Sequence, residues 1–115
     1  MIFKTNDTII NTSNVDRIVV NSNFSGVGYC LHLIFVTESK SYMCDMLTDL
    51  AIKPAYIDDR ENNTLILKSD MKEKAKIIEE KITDGLADLF EGSGVLDLNV
   101  YCRAILDEYD MLDKK

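Results

Sequence analysis

The sequence predicts an α+β fold, in which an antiparallel β-meander of four to six strands packs against an amphipathic helix and a second helix follows at the C-terminal end. Apolar residues alternate with a period of two through much of the first half, and from residue 70 onward they recur every three or four positions. The chain has 115 residues, the size of a single domain. We divide this domain (1–115) into a meander (1–47), an inserted loop (48–63), a strand plus helix (64–91) and a C-terminal helix (95–113).

Polar turns separate the first strands of the meander. Asn6-Asp7 is a turn pair between two short apolar stretches, and a second polar turn at 11–14 precedes the strand sequence "VDRIVV". The stretch 21–28 is rich in Asn, Ser and Gly. This composition predicts a flexible connection before the next strand.

Cys30, His32 and Cys44 lie close together in the sequence and are of the residue types that bind metals or take part in nucleophilic catalysis. A hairpin with a loop at 37–40 explains the pattern around them, because it aligns the apolar residues of both strands on one face. Its register pairs Val36 with Ser41, Phe35 with Tyr42, Leu33 with Cys44 and Leu31 with Met46. Since side chains alternate between faces, Cys44 is expected in the core beside Leu33, whereas Cys30 and His32 point the other way. We therefore predict no shared metal or catalytic site for these three residues.

Residues 48–63 form a long connection for so small a domain. They include the only proline, Pro54, and a charged cluster at 58–61, and a short helix is predicted around 48–52. Long connections of this kind commonly carry function. The sequence "TLILK" (64–68) then predicts a further strand.

The longest helical pattern follows that strand. Asp70 is predicted as its N-cap, with Glu73 as capping-box partner, and Gly92-Ser93-Gly94 ends the helix. The apolar face is formed by Met71, Ala75, Ile78, Ile82, Leu86 and Leu89. The opposite face carries Glu73, Glu80, Asp84 and Glu91. We interpret this acidic face as solvated surface, with a docking ridge for a basic partner as the alternative.

The last segment carries two patterns at once. Alternation over 96–104 is typical of a strand, whereas Leu98, Ile105 and Leu112 fall on one face of a helix. We favour the helix, with Asp97 as its N-cap, because the alternation fails further along the segment. The strand alternative stays open for residues 95–104.

Composition limits the classes of function. The formal net charge is −7 without a cluster of Lys and Arg, so we expect neither nucleic acid nor an anionic membrane as a direct ligand. Three cysteines without a CxxC motif are typical of free thiols in a reducing compartment, and a signal-like or long apolar segment is absent, which together predict a cytoplasmic protein. We expect no cofactor and no metal. No nucleophile lies beside a base, which predicts a protein that is not an enzyme.

The sequences "IFKTNDTIINTSNVDRIVV" and "TLILKSDMKEKAKIIEEKI", with the hairpin between them, resemble small proteins of Firmicutes and their phages that have a pleckstrin-homology-like arrangement. The resemblance covers residues 1–20 and 64–83. It implies antiparallel strands closed by one capped, Glu/Lys-rich helix, and no site residues, since many of those proteins have no assigned activity. The chain departs from this pattern at 48–63 and after Gly94, where we expect its specific function.

These observations together predict a non-catalytic, acidic protein-binding module. One such role is a phage or mobile-element inhibitor that masks a host enzyme or defence complex, an anti-CRISPR role included. We expect partner-binding residues on the inserted loop and on the C-terminal acidic face: Asp58, Asp59, Glu61, Asp107, Glu108 and Asp110. The alternative is a structural or regulatory homo-oligomer, for example a homodimer, because strand edges and an amphipathic terminal helix favour self-association.

Overall fold

The α+β class is confirmed. The computed structural model describes residues 1–25, 28–46, 52–54 and 56–112. In these ranges the strands are β1 (Ile2–Lys4), β2 (Ile9–Asn11), β3 (Arg17–Ser25), β4 (Gly28–Val36), β5 (Ser41–Asp45), β6 (Tyr56–Asp59), β7 (Thr64–Leu67) and β8 (Val95–Asp97), and the α-helices are α1 (Met71–Leu89) and α2 (Leu98–Glu108). The strands form two three-stranded sheets, in the orders β2-β1-β8 and β3-β4-β5, and a separate β6–β7 hairpin.

The meander predicted for 1–47 is divided between the two sheets. A short 3-10 helix, Thr12–Asn14, separates β2 from β3. The Asn11 side chain accepts hydrogen bonds from the backbone N–H and the hydroxyl of Ser13 at the start of this turn. Because the turn takes the chain out of the first sheet, β3 pairs with β4 and leaves β2 as an edge strand.

The long β3–β4 hairpin corrects the prediction of a flexible connection at 21–28. Asn21–Ser25 continue β3 and pair with residues 28–32 of β4. The Ser22 hydroxyl donates to the Tyr29 oxygen at 2.6 Å, and the rings of Phe24 and Tyr29 are 5.6 Å apart between centroids. These cross-strand contacts compensate for the low strand propensity of the Asn- and Ser-rich sequence.

The predicted β4–β5 register is confirmed. Leu33 pairs with Cys44 and Phe35 with Tyr42, and beyond the strand the Met46 amide donates to the Leu31 carbonyl at 3.0 Å. The expected continuous apolar face is only partly formed: Tyr42 is 46% exposed and Cys44 is half-buried, not buried as predicted. The reason is that, among the described strands, β5 is an edge strand, so its side chains have a neighbouring strand on one side only.

The helix α1 follows the predicted apolar pattern except at its last residue, Leu89, which is only half-buried. Its buried residues are Met71, Ala75, Ile78, Ile82 and Leu86, and this face packs on β3. The capping box is wrong. Asp70 has a helical backbone conformation in place of the extended one that an N-cap adopts, so its carboxylate makes no cap hydrogen bond and lies 3.4 Å from the Lys74 ammonium.

The inserted loop predicted at 48–63 contains a strand. Residues 56–59 form β6, which pairs with β7 so that Ile57 faces Ile66. Asp59 accepts a 2.7 Å hydrogen bond from the Asn62 side chain across the turn. The short helix predicted around 48–52 lies outside the described residues except for Ile52, which forms an isolated antiparallel bridge with Leu112.

The favoured helix is confirmed from Leu98 onward, whereas the strand alternative holds only for residues 95–97 and is wrong for 98–104. Residues 95–97 form β8, parallel to β1, and α2 begins at Leu98 and ends at Glu108, so the helix is shorter than the predicted 95–113. Asp97 is the N-cap as predicted, and its carboxylate accepts from the amides of Asn99 and Val100 at 3.0 and 3.2 Å. The change from strand to helix occurs at this cap.

The contact between α1 and α2 depends on the glycine at position 85. A β-carbon built there would overlap the Tyr101 hydroxyl and lie 3.1 Å from the ring carbon that bears it. Alanine normally stabilises a helix by about 1 kcal/mol relative to glycine. We expect Gly85→Ala to destabilise the protein by about 1–2 kcal/mol instead, because Tyr101 must move out of its place.

A double-mutant cycle tests this prediction by urea unfolding. In a Tyr101→Ala background the obstruction is gone, so Gly85→Ala should there stabilise by about 0.5–1 kcal/mol. An effect of the same sign and size in both backgrounds would contradict the proposed contact.

Candidate functional site

The Cys–His group that stands out in the sequence is divided by the sheet. In the observed register His32 pairs with Asp45, whereas Cys44 pairs with the fully buried Leu33. Neighbouring positions on a strand point to opposite faces, so Cys44 and His32 lie on different sides of the sheet. Within the described ranges, no group of three or more His, Cys, Asp or Glu side chains is arranged to hold a metal ion.

Two of the thiols lie in environments that keep them protonated. Burial raises the pKa of the Cys102 thiol to about 12, and Cys102 is fully enclosed in the core. Partial burial, together with the nearby Asp7 carboxylate, also raises the pKa of Cys44. Because the thiolate is the reactive form of cysteine, both side chains are poor nucleophiles at neutral pH.

The acidic residues predicted on the inserted loop lie on the β6–β7 hairpin and its turn. Asp58 and Glu61 are exposed, and Asp58 is 3.8 Å from the side chain of Arg60. Asp59 is half-buried and is bound to Asn62 across the turn. Asp58 and Glu61 are therefore accessible to a partner, whereas Asp59 also holds the turn in place.

An exposed isoleucine pair on the same hairpin was missed in the sequence. Ile57 and Ile66 face each other across β6 and β7 and are 54% and 51% exposed. Alternation places them on the face opposite Tyr56 and Leu67, which pack against the core. The sequence Tyr-Ile-Asp-Asp shows no apolar alternation, and the charged residues around it favoured a loop interpretation.

The acidic residues predicted at the end of α2 are partly engaged within the molecule. Glu108 accepts a 2.6 Å hydrogen bond from Lys81 of α1, and the same ammonium lies 5.2 Å from the centre of the Tyr109 ring. Asp110 forms a 2.7 Å ion pair with Lys53. Asp107, Glu108 and Asp110 are exposed, but Glu108 and Asp110 also join α2 to neighbouring segments.

The segments that adjoin the two predicted acidic groups are hydrogen-bonded to each other. The Lys53 amide donates to the Met111 carbonyl at 2.9 Å, next to the Ile52–Leu112 bridge, so the segment before β6 is attached to the segment after α2. Asp58 is five positions beyond Lys53 in the sequence. An extended chain of that length spans at most about 18 Å. The hairpin and the end of α2 are thus close enough to contact one partner surface.

Comparison of the chain with protein-family models, with curated proteins and with solved structures gives no match. Among the described residues, neither helix combines the length and the apolar character needed to cross a bilayer.

Proposed function

We propose that this protein is a non-catalytic protein-binding module whose main contact surface is the β6–β7 hairpin. The observation that carries the proposal is the exposed pair Ile57 and Ile66, on a hairpin that is separate from both three-stranded sheets in the described part of the chain. In the free protein these two large apolar side chains are in contact with water, and a bound partner would remove that contact. Their burial in a complex would contribute favourable free energy.

The carboxylates of the same hairpin indicate the kind of partner. Asp58, on the opposite face of β6 from Ile57, and Glu61, in the turn, are both exposed, and the whole chain has a formal net charge of −7. Such a surface complements a basic surface with an apolar centre, and charges at its rim act mainly on the rate of association and on orientation. We include in the proposal the cytoplasmic role of a phage or mobile-element inhibitor that masks a basic site on a host enzyme or defence complex, an anti-CRISPR role included.

The test of this proposal compares capture of a host protein by matched variants. Ile57→Ser combined with Ile66→Ser should reduce capture at least about tenfold, because both apolar contacts are lost at the centre of the interface. Ile9→Ser is the control, since Ile9 is 74% exposed on a different sheet and should leave capture unchanged. Equal capture by all three proteins would contradict the proposal.

Charge reversal at the rim gives an independent test. Asp58→Lys with Glu61→Lys should weaken capture about three- to tenfold at low salt and less at high salt, because exposed charges are screened over about 8 Å at physiological ionic strength. Glu80→Lys with Asp84→Lys applies the same change of net charge to exposed positions on α1. Asp59, Glu108 and Asp110 are avoided because they also hold the structure together.

Light scattering on the protein alone tests the alternative of a homo-oligomer. A stable dimer would favour that alternative.

A further inference from the structure

A groove of about 530 Å³ separates β3 from the C-terminal half of α1. Its apolar wall consists of Ile18, Val20, Leu86 and Phe90, and its polar rim of Asp16, Arg17, Thr83, Asp88 and Glu91. The volume lies in the range of sites that hold small molecules or short peptide segments. This groove is distinct from the β6–β7 hairpin and shares no residue with it.

One side of the groove is formed by the first residues of β3, an edge strand on which α1 packs. Within the described part of the chain, β3 pairs with β4 only, so alternate backbone groups along its nine residues have no strand partner. The other edge strands that begin or end these sheets are shorter: β2 and β8 have three residues each and β5 has five. Proteins usually protect long edges with Lys, Pro, a bulge or a covering helix. Here α1 packs on β3, and the groove lies where the C-terminal half of α1 is separated from residues 16–20. The sequence of β3, RIVVNSNFS, contains neither Lys nor Pro.

The charge around the groove indicates which strand can pair with this edge. Asp16, Asp88 and Glu91 are all exposed on the rim, and none forms an ion pair with a described lysine or arginine. Arg17 is the one basic residue of the rim. A second copy of this chain would bring the same acidic rim and a further net charge of −7, which opposes its approach. A basic segment is attracted by the same charges.

We propose that this groove binds an extended segment of a partner protein, with alternating apolar and basic residues, which adds to the free edge of β3 as a further strand. The backbone hydrogen bonds of β3 supply the common part of the recognition. The apolar side chains of the segment pack on Ile18 and Phe90, and its basic side chains reach Asp88 and Glu91. The proposal is independent of the role of the hairpin.

The probe is a fluorescent peptide of alternating lysine and valine, blocked at both ends and equal in length to β3, which has nine residues. Titration at low salt should saturate with a Kd below about 1 mM. In an NMR titration the amide shifts should be confined to β3 and to the second half of α1. A titration that does not saturate, or shifts centred on β5 or on the β6–β7 hairpin, would overturn the proposal.

Matched variants test the charge contribution. Asp88→Asn with Glu91→Gln should weaken peptide binding about three- to tenfold, because two rim charges are lost. Glu80→Gln with Asp84→Asn removes the same net charge from exposed positions of α1 outside the groove, and should change binding less than about twofold. Equal losses in the two variants would show attraction by net charge alone and overturn the assignment to the groove.

Two further peptides test strand addition, each N-methylated at alternate residues in one of the two possible phases. One phase blocks the hydrogen bonds to β3 and should weaken binding at least about tenfold, whereas the other phase should bind nearly as the parent does. Equal binding by both peptides would exclude strand addition. If the protein alone dimerises through β3, as NMR shifts on dilution would show, a second copy is the occupant and the proposal is wrong.

Discussion

Replacing Ile78 by alanine is expected to lower the free energy of unfolding by about 2–5 kcal/mol, because it leaves a cavity under α1. Ile78 is fully buried in the face of the helix that packs on β3. Ile77, the preceding residue of the same helix, is 37% exposed. Ile77→Ala should therefore cost less than about 1 kcal/mol.

The two substitutions form a matched pair for urea denaturation. The residue type, the helix and the change in helix propensity are the same, so the difference in midpoint reports burial alone. The free energy of unfolding of a domain of this kind is about 5–15 kcal/mol, so Ile78→Ala removes a large part of the stability. Equal losses at the two positions would mean that the orientation of α1 on the sheet is wrong.

Replacing Phe3 by alanine is expected to cost about 3–5 kcal/mol, because the ring fills the space between the two three-stranded sheets. Phe3 lies on β1, the central strand of its sheet, and Phe35 lies on β4, the central strand of the other. Both side chains are fully buried, with ring centroids 6.5 Å apart and planes inclined by 57°. Their contact joins the two sheets within one core.

A double-mutant cycle on Phe3 and Phe35, measured by thermal and urea unfolding, separates the pairwise contact from the loss of volume. The coupling between the two rings should be about 0.5–1.5 kcal/mol. Phe24→Ala is the control, since Phe24 is only half-buried near the far end of β3 and should cost less. A loss at Phe24 as large as that at Phe3 would place the main core elsewhere.

The sequence by itself determined the elements whose patterns are local. The spacing of Ile78, Ile82 and Leu86 predicted the buried face of α1, because neighbours three and four positions apart lie on one side of a helix regardless of the rest of the fold. The register of the β4–β5 hairpin followed in the same way, since a short loop and a period of two favour the alignment that places Tyr42 and Cys44 on the face of Leu33 and Phe35. The cap at Asp97 is likewise a signal within a few residues.

Only the tertiary structure decided which distant segments lie together. β1 pairs in parallel with β8, and Ile2 of β1 lies opposite Val95 of β8, far away in the sequence. No local pattern encodes the pairing of these two strands. The same holds for the ion pair of Lys53 with Asp110, for the approach of Tyr101 to Gly85, and for the groove between β3 and α1. Apolar alternation predicts which residues lie on the same face of a sheet. Whether another layer covers that face depends on the packing of the whole chain, and for this reason the exposed pair Ile57 and Ile66 and the open edge of β3 could be recognised only in three dimensions.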